Sequence, residues 1–266
     1  MLSNAPQAER QAIGRSFQAL LQFNRATLAI SPHPLKAGSC VQDCMALQAV
    51  LKRVFDIDSE LLCADFCAWN ANMRIGVMDR HAGRDPQFDP ARAPAYAVEV
   101  AHGMENPTDR YSGHALLRTV NHTIDPTIGQ AWRQNGRQVL LDPPPMLFLD
   151  NELFGPLDMD EHAWLTWPRP SFLHTNRPAG DQGHGVESAP GMGMADLGPL
   201  LRNHAAHPGP MAVLRAGQDC WVAYLTRADL KVEVTYARWQ DPGFRSFTEE
   251  MVDRLCGLLM LPLHHA

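Results

Sequence analysis

One cysteine stands where a helix is predicted to begin, in the run Gly38-Ser-Cys-Val-Gln42. Ser39 and Gln42 have the spacing of a capping box, so Ser39 is expected to cap the helix and Cys40 to be its first residue. The thiol then lies at the positive end of the helix dipole, which favours the thiolate, the form that attacks an electrophile. A lone cysteine is more often a small buried apolar residue, so a catalytic interpretation of Cys40 needs partners.

Candidate partners occur in the segment from Ser112 to Gln130, which contains His114 and Asp125. A nucleophilic thiol needs a base that takes its proton and returns it to the leaving group, and the base needs an acceptor that fixes its tautomer. His114 and Asp125 have the side chains for these two roles. Taken singly, a strand histidine and an Asp-Pro turn are the commoner interpretations.

The register of two predicted strands, 113–120 and 122–126, decides whether these side chains meet. A tight turn at Asn121-His122 would leave His114 and Asp125 about four residues out of register, on the order of 13 Å at the rise of a strand. A four-residue loop at 118–121 would place them directly opposite each other. The sequence leaves both registers open.

In combination, these residues resemble the transglutaminase-like branch of the papain-like cysteine enzymes. The matching motifs occur in the family's order along residues 36–130: Gly38-Ser-Cys40, Leu51-Lys-Arg53, His114-Ala115 and Asp125-Pro-Thr127. Two positions depart from the pattern. Leu116 stands where an aromatic residue usually follows His-Ala, and Phe55-Asp56 stands where a glycine is usual.

The resemblance implies a catalytic triad of Cys40 as nucleophile, His114 as general acid and base, and Asp125 as orienting carboxylate. It also implies an acyl-thioester intermediate, an amide in a protein or peptide as substrate, and no metal or organic cofactor. Hydrolysis by a peptidase or amidase is the expected reaction. Transglutamination differs only in its amine acceptor, and a catalytically inactive binding or scaffolding module with the same fold is the non-enzymatic alternative.

The oxyanion formed during acyl transfer needs hydrogen-bond donors. The backbone N–H of Cys40 is one candidate, because the first N–H groups of a helix have no partner within it. Side-chain candidates for a second donor are Gln18, Gln22 and Gln42.

A metal site is the competing interpretation of four of the six cysteines, which form two C-x-x-x-C pairs, Cys40/Cys44 and Cys63/Cys67. Four thiolates are a known zinc set, but zinc knuckles use C-x-x-C on a turn. Here one pair lies on a predicted helix and the other on one face of a predicted strand. Packed reduced thiols are therefore favoured, and Cys44 is expected to be buried and unreactive.

Composition limits the class of protein. With 45% hydrophobic and 20% charged residues in 266, the chain has the composition of a globular protein. Its 23 basic and 29 acidic side chains give a net charge of −6, and the basic residues are scattered, which disfavours nucleic acid and membrane partners. No apolar run reaches the roughly 18 residues of a membrane span, and the N-terminal residues lack a secretory pattern. The expected location is the cytoplasm, and nothing in the sequence predicts the oligomeric state.

Periodicity predicts an α+β protein. The resemblance implies a papain-like/transglutaminase-like core over residues 1–150, with the nucleophile's helix packed on an antiparallel sheet. Residues 151–266 form a C-terminal α+β extension, separate or part of the same domain, that covers the cleft or completes the sheet. Other predicted elements are a helix over 7–29, strands at 59–69, 96–101 and 211–214, a surface loop at 79–95, a Gly/Pro-rich loop at 175–194, a hairpin of 220–226 with 230–238, and a last helix from Ser246 to Met260.

Overall fold

The computed structural model describes residues 5–27, 40–100, 114–151, 186–188, 211–227 and 242–260. They form a mixed α+β structure with a curled antiparallel sheet. The helices are α1 (Ala5–Thr27), α2 (Cys40–Phe55), α3 (Ala71–His81) and α4 (Pro242–Met260), with a short 3-10 helix at Ile128–Ala131. The strands are β1 (Glu60–Asn70), β2 (Ala97–Val100), β3 (His114–Arg118), β4 (His122–Asp125), β5 (Arg133–Asn135), β6 (Gln138–Leu141), β7 (Leu147–Asp150), β8 (Val186–Ser188), β9 (Met211–Arg215) and β10 (Cys220–Thr226).

Strand β1 is the centre of the sheet, whose order is β7-β4-β3-β1-β10-β9. One edge of β1 pairs with β10 along Ala64–Asn70. The other edge is shared, because β3 pairs with Glu60–Ala64 and β2 with Phe66–Trp69. β8 extends the sheet beside β2, whereas β5 and β6 form a separate hairpin. The C-terminal extension therefore contributes strands to the same sheet, the second of the two arrangements expected for it.

Both faces of the sheet are covered, which explains why β1 reads as an apolar run without polar alternation. Residues 61–70 are all buried. On one face, Leu61 and Cys63 pack with α1, α2 and α4. On the opposite face, Phe66 packs with the 3-10 helix, β6 and β10. The helix that begins at Cys40 is thereby held against the sheet along its buried stripe.

Helix α2 ends in a hydrogen-bonding pattern of the Schellman type. The N–H of Ile57 donates to the carbonyl of Leu51 (3.1 Å), and the N–H of Asp56 donates to the carbonyl of Lys52 (3.2 Å). Asp56 has φ of 53°, in the left-handed region that glycine adopts most easily. This is the place where the family pattern has glycine, so the departure puts an aspartate in a strained backbone position.

A buried carboxylate ties α1 to the turn between β3 and β4. Glu9 is 9% exposed and accepts hydrogen bonds from the Thr119 hydroxyl, from Nδ2 of Asn121 (2.6 Å) and from Nδ1 of His122 (3.1 Å). Burial alone would raise the pKa of Glu9, but these hydrogen bonds outweigh burial and lower it. The carboxylate thus fixes the turn that sets the β3–β4 register.

The predicted elements are confirmed for α1, α2, β1 to β4, β9 and β10. Three expectations need correction. The loop expected at 79–95 begins only after α3, which reaches His81. The last helix starts at Pro242, so Ser246 lies inside it and is not its cap. β10 pairs with β1 and β9, and residues 230–238 lie outside the described residues.

Two further expectations concern segments that lie largely outside the described residues. Ser39, the expected cap of α2, lies outside the described residues, as does most of 175–194, of which 186–188 form β8. In the described part of the chain, no helix has both the length and the apolarity needed to cross a membrane.

Candidate active site

The β3–β4 hairpin has a register between the two that the sequence left open. Leu117 pairs with Ile124 and Arg118 with Thr123. The N–H of Thr119 donates to the carbonyl of His122 (2.8 Å), so the turn is tight and centred one residue earlier than Asn121-His122. Moving a turn by one residue shifts the pairing by two, so neither of the two predicted registers is correct.

This register makes His114 and Asp125 diagonal neighbours on one face of the sheet. Continued along the strands, it places Leu116 opposite Asp125 and leaves His114 two residues away. That offset is about 7 Å along a strand, within the reach of long side chains. Nε2 of His114 and Oδ2 of Asp125 are 2.8 Å apart, and both side chains are buried.

The Asp125 carboxylate is held at both oxygens. Oδ1 accepts from the backbone N–H of Thr127 (2.9 Å) and from its hydroxyl (3.3 Å). Oδ2, the oxygen that contacts His114, also accepts from the hydroxyl of Tyr224 on β10 (2.7 Å). The Asp-Pro-Thr motif therefore does more than form a turn, because Thr127 fixes the carboxylate that faces the histidine.

The His114 ring is enclosed by aromatic side chains and carries a strongly shifted pKa. Its centroid lies 4.8 Å from that of Phe66 and 6.2 Å from that of Tyr224. Burial by itself lowers the pKa of His114, but the charge and hydrogen bond of Asp125, helped by Cys40, outweigh burial and raise it to about 10. The site therefore favours the imidazolium form of His114 at neutral pH.

Cys40 is the first residue of α2, as predicted, and its side chain is hydrogen-bonded to His114. Since Nε2 of the ring contacts Asp125, Nδ1 is the nitrogen that remains for the thiol. The structure thus brings Cys40, His114 and Asp125 together in the order that a thiol nucleophile requires.

Cys44, one turn further along α2, has different contacts from Cys40. Its side chain is fully buried, and its thiol approaches the carbonyl of Ala115 at 3.5 Å. Burial, with the nearby Cys40 and Asp125, raises the pKa of Cys44 well above its usual value. Cys44 is thus buried, as predicted, and held as a neutral thiol.

The three glutamines considered as oxyanion donors are placed elsewhere. Gln18 and Gln22 are exposed on α1. Nε2 of Gln42 donates to the hydroxyl of Thr248 on α4 (3.1 Å), which links the start of α2 to the last helix. The backbone N–H of Cys40 remains the candidate donor.

The cysteines are free thiols, and five of the six are buried. Within the described ranges, no group of three or more His, Cys, Asp or Glu side chains is arranged to hold a metal ion. Cys63 and Cys67 lie on β1, two strand positions on either side of Asp65.

Two side chains at the site were not anticipated from the sequence, Phe66 and Tyr224. They are cross-strand partners on β1 and β10, and their ring centroids are 5.3 Å apart. The available signal for Tyr224 was a tyrosine within an otherwise apolar strand, since a buried tyrosine hydroxyl usually has a hydrogen-bond partner. Nothing in the spacing indicated that this partner would be Asp125.

Comparison of the chain with protein-family models, with curated proteins and with solved structures finds no match. The chemistry of the site therefore has to be inferred from its own geometry.

Proposed function

We propose that the protein is a cysteine-dependent enzyme that transfers the acyl group of an amide to water through a thioester on Cys40. The observation that carries the proposal is the buried series of hydrogen bonds from Cys40 to His114 to Asp125. A thiol, a base and an orienting carboxylate in that order are the requirements of nucleophilic amide cleavage. The proposal includes a papain-like/transglutaminase-like core, supported by the nucleophile at the start of a helix that packs on an antiparallel sheet.

The reaction proceeds in two steps that share His114. The Cys40 thiolate attacks the amide carbon, and the C–N bond breaks as the imidazolium gives its proton to the departing amine. Neutral His114 then takes a proton from water, whose oxygen attacks the thioester carbon. The C–S bond breaks and releases the carboxylic acid and the Cys40 thiolate, beside the imidazolium with which the cycle began. Asp125 holds the ring by Nε2 throughout, so that Nδ1 faces the sulfur.

Selective alkylation tests the nucleophile. The full-length protein is treated with iodoacetamide at a series of pH values, and the modified cysteine is mapped. Cys40 is expected to react selectively below pH 7, because it lies at the start of a helix beside the His114 imidazolium. Cys256 is an internal control, since it is only half buried and burial raises the pKa of its thiol. Equal labelling of all cysteines with ordinary thiol pH dependence would contradict the proposal.

The acceptor is tested with a labelled, denatured protein as a general amide substrate, in the presence of a fluorescent primary amine. Release of peptides or ammonia without incorporation of the amine identifies hydrolysis, whereas incorporation identifies the transglutaminase reaction. Cys40→Ala should abolish either reaction and leave the fold intact, and Cys256→Ala, on α4, should leave it unchanged. A folded wild-type protein with neither activity nor selective alkylation would favour the binding or scaffolding alternative.

A further inference from the structure

We propose that Tyr224 is a positioning residue of this site, which holds Asp125 in place and through it orients His114. The inference rests on the proposed function of Cys40, His114 and Asp125. It adds to the site a residue from the C-terminal part of the chain, almost one hundred positions beyond Asp125 in sequence.

The geometry of the hydrogen bonds supports this role. The Tyr224 hydroxyl is 2.7 Å from Oδ2 of Asp125, the same oxygen that lies 2.8 Å from Nε2 of His114. Thr127 holds only Oδ1. Of the two groups that contact Oδ2 in these hydrogen bonds, the phenol is the one that can hold it in place. Without the phenol, Oδ2 would keep only the histidine ring, which is the group that the carboxylate has to orient.

The phenol is suited to act as a permanent donor. Tyr224 is fully buried, and burial, with the charge and hydrogen bond of Asp125, raises its pKa well above 10. The hydroxyl therefore keeps its proton over the working pH range and donates it to Oδ2. Among the described residues, Asp125 accepts four hydrogen bonds, and the one from Tyr224 is the only one at Oδ2 besides that of His114.

The position of Tyr224 is fixed by the sheet. Its strand pairs directly with β1, where Phe66 is its cross-strand partner, and the Phe66 ring packs against both Tyr224 and His114. The phenol and the imidazole are nearly parallel, at 27°. β1 lies between β10 and β3 and therefore fixes the distance between Tyr224 and His114. The pairing of β3 with β4 fixes the position of Asp125 beside them.

The alternative role for Tyr224 is core packing, in which Asp125 merely satisfies a buried hydroxyl. Tyr224→Phe separates the two roles, because it removes only the oxygen and leaves the ring against Phe66. Tyr96→Phe is the matched control: it removes a phenol oxygen from a buried tyrosine of the same cluster, and none of the hydrogen bonds that fix Asp125 comes from Tyr96.

The experiment titrates His114 by NMR in full-length protein labelled with ¹⁵N-histidine, with its signal assigned from a His114→Gln variant. In Tyr224→Phe, the pKa of His114 is expected to fall by about one unit or more, since a looser carboxylate stabilises the imidazolium less. The turnover number per titrated Cys40 is expected to fall about 10- to 100-fold with KM within about twofold, because orientation acts on the chemical step. Tyr96→Phe is expected to change neither.

A His114 pKa that is unchanged or raised in folded Tyr224→Phe overturns the inference. An unchanged value makes Tyr224 a packing residue, and a raised value means that the phenol weakens the pull of Asp125 instead of fixing its position. The titration does not depend on turnover. If wild-type Cys40 shows no selective alkylation, the proposed function fails while the His114 titration still decides the role of Tyr224.

Discussion

Replacing Asp125 by asparagine keeps the size of the side chain but removes its charge and turns one acceptor into a donor. Each oxygen of Asp125 accepts two hydrogen bonds. Those at Oδ1 come from the backbone N–H and the hydroxyl of Thr127, and those at Oδ2 come from His114 and Tyr224. An asparagine has one oxygen, so one of these pairs must lose its acceptor. If the oxygen stays with Thr127, the amide NH₂ faces His114, and the ring is pushed to the tautomer that carries its proton on Nδ1. In that tautomer, neutral His114 presents no base to Cys40.

The size of the effect follows from the pKa of His114. Asp125 is the main reason that this pKa stands at about 10 instead of 6.5. Without the charge, the burial that lowers the pKa persists, so the value should fall to 6.5 or below, by more than three units, on the order of 5 kcal/mol of imidazolium stabilisation. We expect the turnover number to fall roughly 10²- to 10⁴-fold with little change in KM, because the loss concerns the chemical step.

The assay compares wild type, Asp125→Asn and the exposed control Asp150→Asn. Rates of Cys40 alkylation and of amide cleavage are measured from pH 5 to 10, and unfolding free energies are measured by urea at pH 6 and pH 9.5. A histidine whose folded pKa is raised stabilises the fold fully below its unfolded pKa, near 6.5, and this stabilisation disappears as pH rises to about 10. The stability lost in Asp125→Asn should therefore be larger at pH 6 than at pH 9.5. Full activity of Asp125→Asn would remove Asp125 from the site and leave a Cys40–His114 dyad.

Three other substitutions test how the fold supports the site. Cys44→Ser should lower the free energy of urea unfolding by about 1 kcal/mol, a small cost because the new hydroxyl can donate to the Ala115 carbonyl that the thiol now approaches. Activity per folded molecule should persist. A stable but inactive variant would mean that Cys40 is the wrong choice of nucleophile. Glu9→Gln should cost about 1–3 kcal/mol at pH 7, since its NH₂ would face donors of the β3–β4 turn. That cost should shrink as pH falls through the lowered pKa of Glu9, and a pH-independent difference would refute the assignment. Asp56→Gly should raise the free energy of unfolding by about 0.5–1 kcal/mol, because glycine adopts the positive φ of this position without strain. Asp56→Ala keeps the strained φ and also loses the exposed ion pair with Lys52, so it should not stabilise the protein. Equal effects of the two substitutions would exclude backbone strain as the cause.

Local sequence was sufficient for the elements that carry the three predicted site residues. The helix that begins at Cys40 is marked by its buried stripe, and β3 and β4 by short apolar runs before an Asp-Pro turn. Their register was not predictable, because it depends on the centre of a turn without glycine. That turn is held by Glu9, more than one hundred residues earlier in the chain.

Helix α3 was missed although it has a local signal. Oδ1 of Asn70 accepts from the N–H of Met73 at 2.9 Å, the contact of an N-cap. The apolar sequence of β1 runs straight into this cap, and the interior Gly76 weakens the helical pattern. Glu9 was similarly visible as a charged residue four positions before Ile13, on the apolar side of α1, which indicates a buried partner.

Long-range pairing was the information that local patterns lack. β10 was identified as a strand, but its expected partner was the next segment along the chain, whereas its partners are β9 and the much earlier β1. The hydrogen bond between Tyr224 and Asp125 exists only because of that pairing. A site residue contributed by a distant strand therefore has no spacing motif from which it can be predicted.

The place of β10 in the sheet also has a consequence for the order of events during protein synthesis. A ribosome releases β1, β3 and β4, together with Cys40, His114 and Asp125, long before residues 220–226 are made. Until then, the edge of β1 that will receive β10 has no native partner, which exposes a long apolar strand to pairing with other nascent chains. The phenol that completes the Asp125 hydrogen bonds arrives with the same strand. On this topology, a nascent chain that stops before β10 contains Cys40, His114 and Asp125 without the phenol, so the hydrogen bonds around Asp125 are completed only after β10 has been made.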